Sequence, residues 1–196
     1  ETGVGDTGIR SGVIGEIGCS WPWTAAEKKS VKAAIIAQQE TGAPLLIHPG
    51  RNQYAPMEIV EFIDKENGDL SRTIMAHVEI RIFEGKILRE LGQTGVYMEY
   101  DTFGLDVPFP AHAPDTFMPS DHQRIGQIMG LIKDGYGDRI LLAHDNCTKH
   151  RLQKYGGHGF DHIVSTVVPW MKREGVTDEQ IERLLCTNPQ RILTFA

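Results

Sequence analysis

Four residues able to do chemistry share one context in this chain. Glu16, His48, His77 and Asp145 each close, within two residues, a short apolar run: Val13-Ile14, Leu45-Leu46-Ile47, Thr73-Ile74-Met75-Ala76 and Ile140-Leu141-Leu142-Ala143. If those runs are strands of a parallel sheet, all four side chains emerge at its C-terminal edge, where the loops converge on one mouth. Two imidazoles and two carboxylates meeting there suit a divalent cation, and the nitrogen ligands favour zinc, manganese or iron over magnesium. A polar residue at a strand end can also cap a carbonyl or face solvent, and for any one of the four that explanation suffices. Four in matching positions make a metal site the stronger expectation.

The elements that must carry these residues follow from the punctuation of the sequence. The four runs and a fifth, Val96-Tyr97-Met98 leading into Glu99-Tyr100-Asp101, are continuous in hydrophobicity, as strands covered on both faces require. Thr24-Ala25-Ala26-Glu27 is a capping box that opens a helix ending at Gly42, with Pro44 just beyond. Pro56 suits the first turn of a second helix, stopped by Asn67-Gly68. A third helix is expected near 82–91 and a fourth near 121–133; after the fifth strand come amphipathic runs at 163–173 and 178–185 and a last turn at 189–193. The order βαβαβαβαβ followed by helices is that of a parallel α/β fold. Strand ends at 16, 48, 77, 100 and 145 recur at the size of a βα unit, without a sequence repeat.

Weaker candidates lie in the loops. Arg51, three residues beyond His48, would reach the same mouth and pair with an anionic group of a substrate. A solvated surface arginine explains it equally well. The glycines of Lys154-Tyr155-Gly156-Gly157-His158-Gly159 imply a backbone that approaches something closely or moves as a flap. A phosphate cradle is disfavoured there, since neither GxGxxG nor the P-loop lysine is present. His112, His122, His150 and His162 lie outside strand ends and read as ordinary surface or helix histidines. Trp21, Trp23, Phe103, Phe109 and Tyr155 could wall a pocket, although core or loop packing is their default.

Composition narrows the class. With 196 residues, 40% hydrophobic and 23% charged, the chain is a globular protein large enough to bury a core, which excludes disorder. A net charge of -6 without a basic run argues against nucleic acid or an anionic membrane surface as partner, and no apolar stretch is long enough to span a bilayer. Cys19, Cys147 and Cys186 are odd in number and not closely spaced, so a reducing, cytoplasmic location is expected.

Gly15-Glu16-Ile17-Gly18-Cys19-Ser20-Trp21, Ile47-His48-Pro49-Gly50-Arg51, Ala76-His77, Glu99-Tyr100-Asp101, Ala143-His144-Asp145, the glycine-rich segment above and Asn188-Pro189 together resemble the phosphotriesterase family of the amidohydrolase superfamily, in its phosphotriesterase-related branch. The resemblance implies a (β/α)8 TIM barrel with two divalent metal ions, zinc first among them, a hydroxide between the metals, and hydrolysis of an ester, lactone, amide or phosphoester. It assigns Glu16 to the position of the metal-bridging group at the end of barrel strand 4, where bacterial phosphotriesterases carry a carbamylated lysine. His48 and His77 take the strand 5 and strand 6 ligand positions. Asp145 takes that of strand 8, a metal ligand and the acceptor of the nucleophile's proton. Arg51, Tyr100 and His158 become the substrate-binding candidates, and a small N-acyl amide such as N-acetyltaurine is favoured over a phosphotriester.

One expected motif is missing. No His-x-His pair, the strand 1 signature of the family, occurs in the chain, and five strands are three fewer than a complete barrel. The sequence is therefore expected to be a partial barrel, strands 4 to 8, at residues 12–196, with residues 1–11 a leader or residual linker. An open sheet of this kind is expected to form homo-oligomers or to be poorly soluble. Two other readings stand beside the binuclear hydrolase: a non-catalytic binding protein on the same scaffold, and a mononuclear zinc site of His48, His77 and Asp145 with Glu16 behind it.

Overall fold

The computed structural model describes residues 4–105, 107 and 114–194; the expectations for Phe109 and His112 fall outside them. Five strands, β1 (Ile14–Gly18), β2 (Leu45–His48), β3 (Thr73–Met75), β4 (Tyr97–Tyr100) and β5 (Ile140–Leu142), form one sheet in the order β1-β2-β3-β4-β5. Every pairing is parallel. Sequential order with a crossover between each pair is the arrangement of consecutive βα units, consistent with part of a barrel. Among the described residues, β1 and β5 are the sheet's two edges.

The helices start where the sequence marks them. In α1 (Ala25–Thr41) the Thr24 hydroxyl accepts the Glu27 N–H at 3.2 Å while the Glu27 carboxylate accepts the Thr24 N–H at 2.5 Å. Pro56 lies in the first turn of α2 (Ala55–Lys65), and a Ser120–Gln123 capping box opens α4 (Asp121–Lys133). The third helix differs from expectation: α3 spans Gly85–Gln93, because the chain leaves β3 through a left-handed His77 and first forms a 3-10 turn at Val78–Ile80.

At the C-terminal end two wide π turns, Ile163–Val167 and Arg183–Thr187, run directly into α5 (Val168–Arg173) and α7 (Asn188–Leu193). Each of these helices carries a proline at its start, Pro169 or Pro189. Proline offers no N–H and crowds the carbonyl one turn back, and a widened turn absorbs both defects. The run near 178–185, which begins as α6 (Asp178–Glu182), and the last turn are thus one continuous helical segment. The fully buried Asn188 fastens it to the sheet by donating to the carbonyls of Gly137 and Ile140 at 2.9 and 2.8 Å.

Strand alternation decides what reaches the mouth. Leu45, Ile47, Met75, Met98, Tyr100 and Ile140 face the helices and form the main core, whereas Leu46, Ile74, Tyr97 and Leu141 line the opposite face against Ile192. His48 shares parity with Leu46 and so points away from the helices. In β1 both Ile14 and Ile17 pack toward the helices, with a register shift between them that leaves Glu16 on the side of His48. Among the described residues no helix is long and apolar enough to cross a membrane.

Candidate metal centre

Glu16, His48 and His77 come from the ends of three neighbouring strands and meet at one point. Glu16 Oε1 lies 3.0 Å from His48 Nδ1 and 3.1 Å from His77 Nε2, and the two ring nitrogens are 2.8 Å apart. Ligand atoms around a tetrahedral ion with bonds of ~2.0–2.1 Å sit roughly 3.3 Å from each other, so this triangle needs to open only slightly to hold zinc. Among the described residues it is the group of histidine, cysteine, aspartate or glutamate side chains close enough to share an ion.

Asp101 prepares the deeper ligand. Its Oδ1 is 2.7 Å from His77 Nδ1 and its Oδ2 accepts the His77 backbone N–H at 2.9 Å. A carboxylate at Nδ1 holds one ring proton there, so a cation that displaces the proton shared between Nε2 and Glu16 would meet the Nε2 lone pair. Burial alone would lower the His77 pKa, but the hydrogen bonds its ring donates to Asp101 and Glu16 outweigh it and raise it to about 10. The same contacts, led by the hydrogen bond with His48, hold the Glu16 carboxyl well below its ordinary range. The donor set is thus anionic carboxylate and oriented imidazole, which a divalent cation satisfies by taking the place of protons.

Behind Asp101 two further acids, Glu79 and Glu99, are pushed up to about 7 and about 8, first by burial and then by the Asp101 charge. Glu79 accepts the Thr102 N–H and hydroxyl at 2.8 and 2.6 Å, and the fully buried Arg124 donates to the same hydroxyl at 3.2 and 2.9 Å. This scaffold fixes the loop after β4. His77 and Asp145 both adopt left-handed backbone conformations, φ 57° and 45°, a cost that non-glycine residues bear mainly at functional sites.

Asp145 lines the same hollow of about 100 Å³ as His48 and His77 but stands outside the triad. Its Oδ2 is 3.0 Å from Arg151 Nη1, and the same guanidinium also donates to the Asp145 carbonyl. Arg51 reaches this hollow as well.

The two other candidates are placed elsewhere. Tyr100, expected to touch substrate, is fully buried among the helix-facing side chains with Met98; alternation turns it away from the hollow and presents Asp101 instead. His158 lies in an adjoining hollow with Phe103 and His144, its ring 4.2 Å from that of His162. His162, expected to be an ordinary surface or helix histidine, is buried and lies 2.6 Å from Asp121. The glycines beside His158 serve close packing: a Cβ at Gly157 would overlap the Arg151 backbone. Trp23 and Phe103 belong to the core, while Trp21 and Tyr155 are partly exposed.

Reasoning from strand ends missed Asp101 and Arg81, the latter buried and lining the same hollow as His48, His77 and Asp145. Asp101 carries the same signal as the others, an acid directly after a strand, shifted one residue by the tyrosine before it. Arg81 carries none, because its approach depends on the turn after His77.

A parallel β/α sheet with a carboxylate–histidine triad at its C-terminal edge defines a barrel-type protein with a candidate metal centre at the mouth. The chain belongs to the phosphotriesterase family, whose sequence model matches residues 1–193. It is 51% identical over 193 residues to a phosphotriesterase-related protein of Nematostella vectensis and 47% identical to an N-acetyltaurine hydrolase of Bos taurus. Each alignment covers 98% of this chain and 55% of the relative, so the chain spans about half the length of the curated relatives it matches. Among solved structures, a resiniferatoxin-binding protein from Rhodobacter sphaeroides superposes with a TM-score of 0.88 at 35% identity, covering 96% of this chain and 52% of that one. The phosphotriesterase homology protein from Escherichia coli, complexed with phosphate in its active site, gives 0.88 at 25% identity, with 99% and 63% covered.

Proposed function

We propose that this protein is a metal-dependent hydrolase of small N-acyl amides, with an N-acetyltaurine-like substrate favoured over a phosphotriester. The observation that carries this is the Glu16–His48–His77 triangle, three ligand atoms 2.8 to 3.1 Å apart at the sheet's C-terminal edge. Relatives named N-acetyltaurine hydrolase at 47% identity support the amide.

Glu16, His48 and His77 would hold the metal, with Asp101 keeping the His77 proton on Nδ1. Bound there, a divalent ion supplies Lewis acidity that polarises the scissile carbonyl and acidifies water. Asp145, at the hollow's edge, accepts the proton from the attacking water and returns it to the leaving amine. Arg51 faces the same space and pairs with an acidic group on the amine side of the substrate, and His158 forms a more distant wall. In the binuclear reading Glu16 would help to hold both zinc ions.

A single-ion site is the second reading. Its ligands would be Glu16, His48 and His77 rather than the His48, His77 and Asp145 expected from the sequence, because the former three converge among the described residues while Asp145 pairs with Arg151. Metal analysis of the full-length protein after zinc reconstitution, beside hydrolysis of N-acetyltaurine and a phosphotriester, separates these. Two ions per chain with amide turnover lost on chelation is the expected result, and one ion favours the second reading. Turnover indifferent to chelation would overturn the proposal.

A further inference from the structure

Arg81 is an anomaly beside the triad. Its side chain is only 5% exposed, yet among the described residues no carboxylate lies within ion-pair distance of it. Its guanidinium is held by backbone oxygens: Nε–H donates to the Pro49 carbonyl at 3.1 Å, and Nη1 to that of Ile80 at 3.4 Å. Pro49 directly follows His48 in sequence, so the contact ties Arg81 to the loop that carries a triad residue. The guanidinium borders the hollow shared by His48, His77 and Asp145.

A second cation faces it. Arg51 lines the same hollow, is exposed and makes no ion pair among the described residues. Burial lowers the Arg81 pKa and the neighbouring Arg51 charge lowers it further; Asp101, Glu79 and Glu16 raise it without making a contact ion pair, and the net shift stays downward. Asp115 borders the outer side of the two arginines without pairing with either among the described residues. The third arginine of the hollow, Arg151, is neutralised by Asp145. Two guanidinium groups without a contact ion pair among the described residues, one buried and held by backbone carbonyls and one exposed, therefore sit next to the candidate metal position. A buried unpaired cation is unfavourable by itself and is retained where a ligand completes it.

We propose that Arg81, the fixed half of a clamp with Arg51, is the residue that selects an anionic substrate: a small N-acyl amine carrying a sulfonate or carboxylate. The proposal rests on the amide-hydrolase reading above and deepens it. Backbone carbonyls aim the Arg81 fork without neutralising it, so its free N–H groups meet two oxygens of a sulfonate or carboxylate in fixed geometry, while Arg51 approaches from the solvent side. The hollow of about 100 Å³ admits a compact head group.

The test uses the full-length protein with N-acetyltaurine and its neutral counterpart N-acetylethanolamine. Binding is measured by calorimetry on the chelated protein and KM on the zinc-loaded one. The wild type is expected to prefer the sulfonate. R81M should weaken N-acetyltaurine by roughly ten- to hundredfold, mostly in KM, with a far smaller change for N-acetylethanolamine and unchanged zinc content. R81K should recover part of the loss. Equal affinity of R81M and wild type for N-acetyltaurine overturns the proposal. Should R81M fail to fold, the wild type decides, since equal binding of the two ligands overturns the clamp while turnover of both leaves the hydrolase reading intact. Binding and turnover of neither ligand by a zinc-loaded protein overturns both.

Discussion

Asp101 grips His77 twice, ring and backbone, with one carboxylate: Oδ1 lies 2.7 Å from Nδ1 and Oδ2 2.9 Å from the backbone nitrogen. Both donors are satisfied only while both oxygens are acceptors. Asp101→Asn keeps the size but turns an NH2 against one of the two N–H groups. Zinc affinity is expected to fall about ten- to hundredfold, the usual consequence of losing such a partner. Competition with a chromophoric chelator measures it, and an unchanged affinity would remove Asp101 from the site.

Glu16 contributes charge as well as an oxygen. Glu16→Gln retains a carbonyl acceptor for a structural hydrogen bond but loses the anion, so a role as a mere strand cap predicts little change. A ligand role predicts loss of at least one metal and nearly all hydrolysis. Glu16→Asp shortens the reach by one methylene and should weaken metal binding less. Metal content and turnover of the three forms decide, and a Gln form with full metal and normal turnover excludes a ligand role.

How far the site was legible in the sequence depended on whether the backbone kept regular alternation up to each residue. His48 follows β2 in phase with Leu46, and reading strand ends sufficed for it. For Tyr100 the same rule failed by one residue, because the strand carries on through it and period 2 assigns it to the core. The third helix was expected too early because a left-handed residue at 77 cannot be read from side-chain type. Arg81 depends wholly on that turn. The separation of Asp145 from the triad has a similar origin, since its left-handed backbone and its contact with Arg151 come from a loop whose course no local pattern specifies.

Acid should loosen the start of α1. The Glu27 carboxyl is held down to about 2 from an ordinary 4.5, chiefly by the Thr24 backbone N–H and then by the Ser20 hydroxyl. A depressed pKa contributes stability that is present above 4.5 and is lost as pH falls through about 2. The protection of the Ser20 and Thr24 amides from hydrogen exchange, relative to their intrinsic rates at each pH, should therefore fall across that window. Glu27→Gln should remove this pH dependence of protection, and equal acid sensitivity in both forms would assign it elsewhere.

The last prediction concerns Gly15, next to Glu16. Its φ is 120°, outside the range of L residues, and a Cβ there would overlap the Leu46 carbonyl oxygen of β2 and lie 3.0 Å from the Ile17 nitrogen. Both obstacles are backbone, so no rotamer change relieves them and β1 must shift along or away from β2. Glu16 would move with it and lose its place beside His48 and His77. Gly15→Ala should lower Tm by about 5 °C or more, from conformational strain alone, and release bound zinc. Gly18 provides the control within the same strand: its φ is ordinary and nothing lies within 4 Å of a Cβ there, so Gly18→Ala should leave both quantities near wild type. Thermal melts with metal analysis compare the two, and a Gly15→Ala protein that melts and binds zinc like the Gly18→Ala form would show that the close approach of β1 to β2 does not position Glu16.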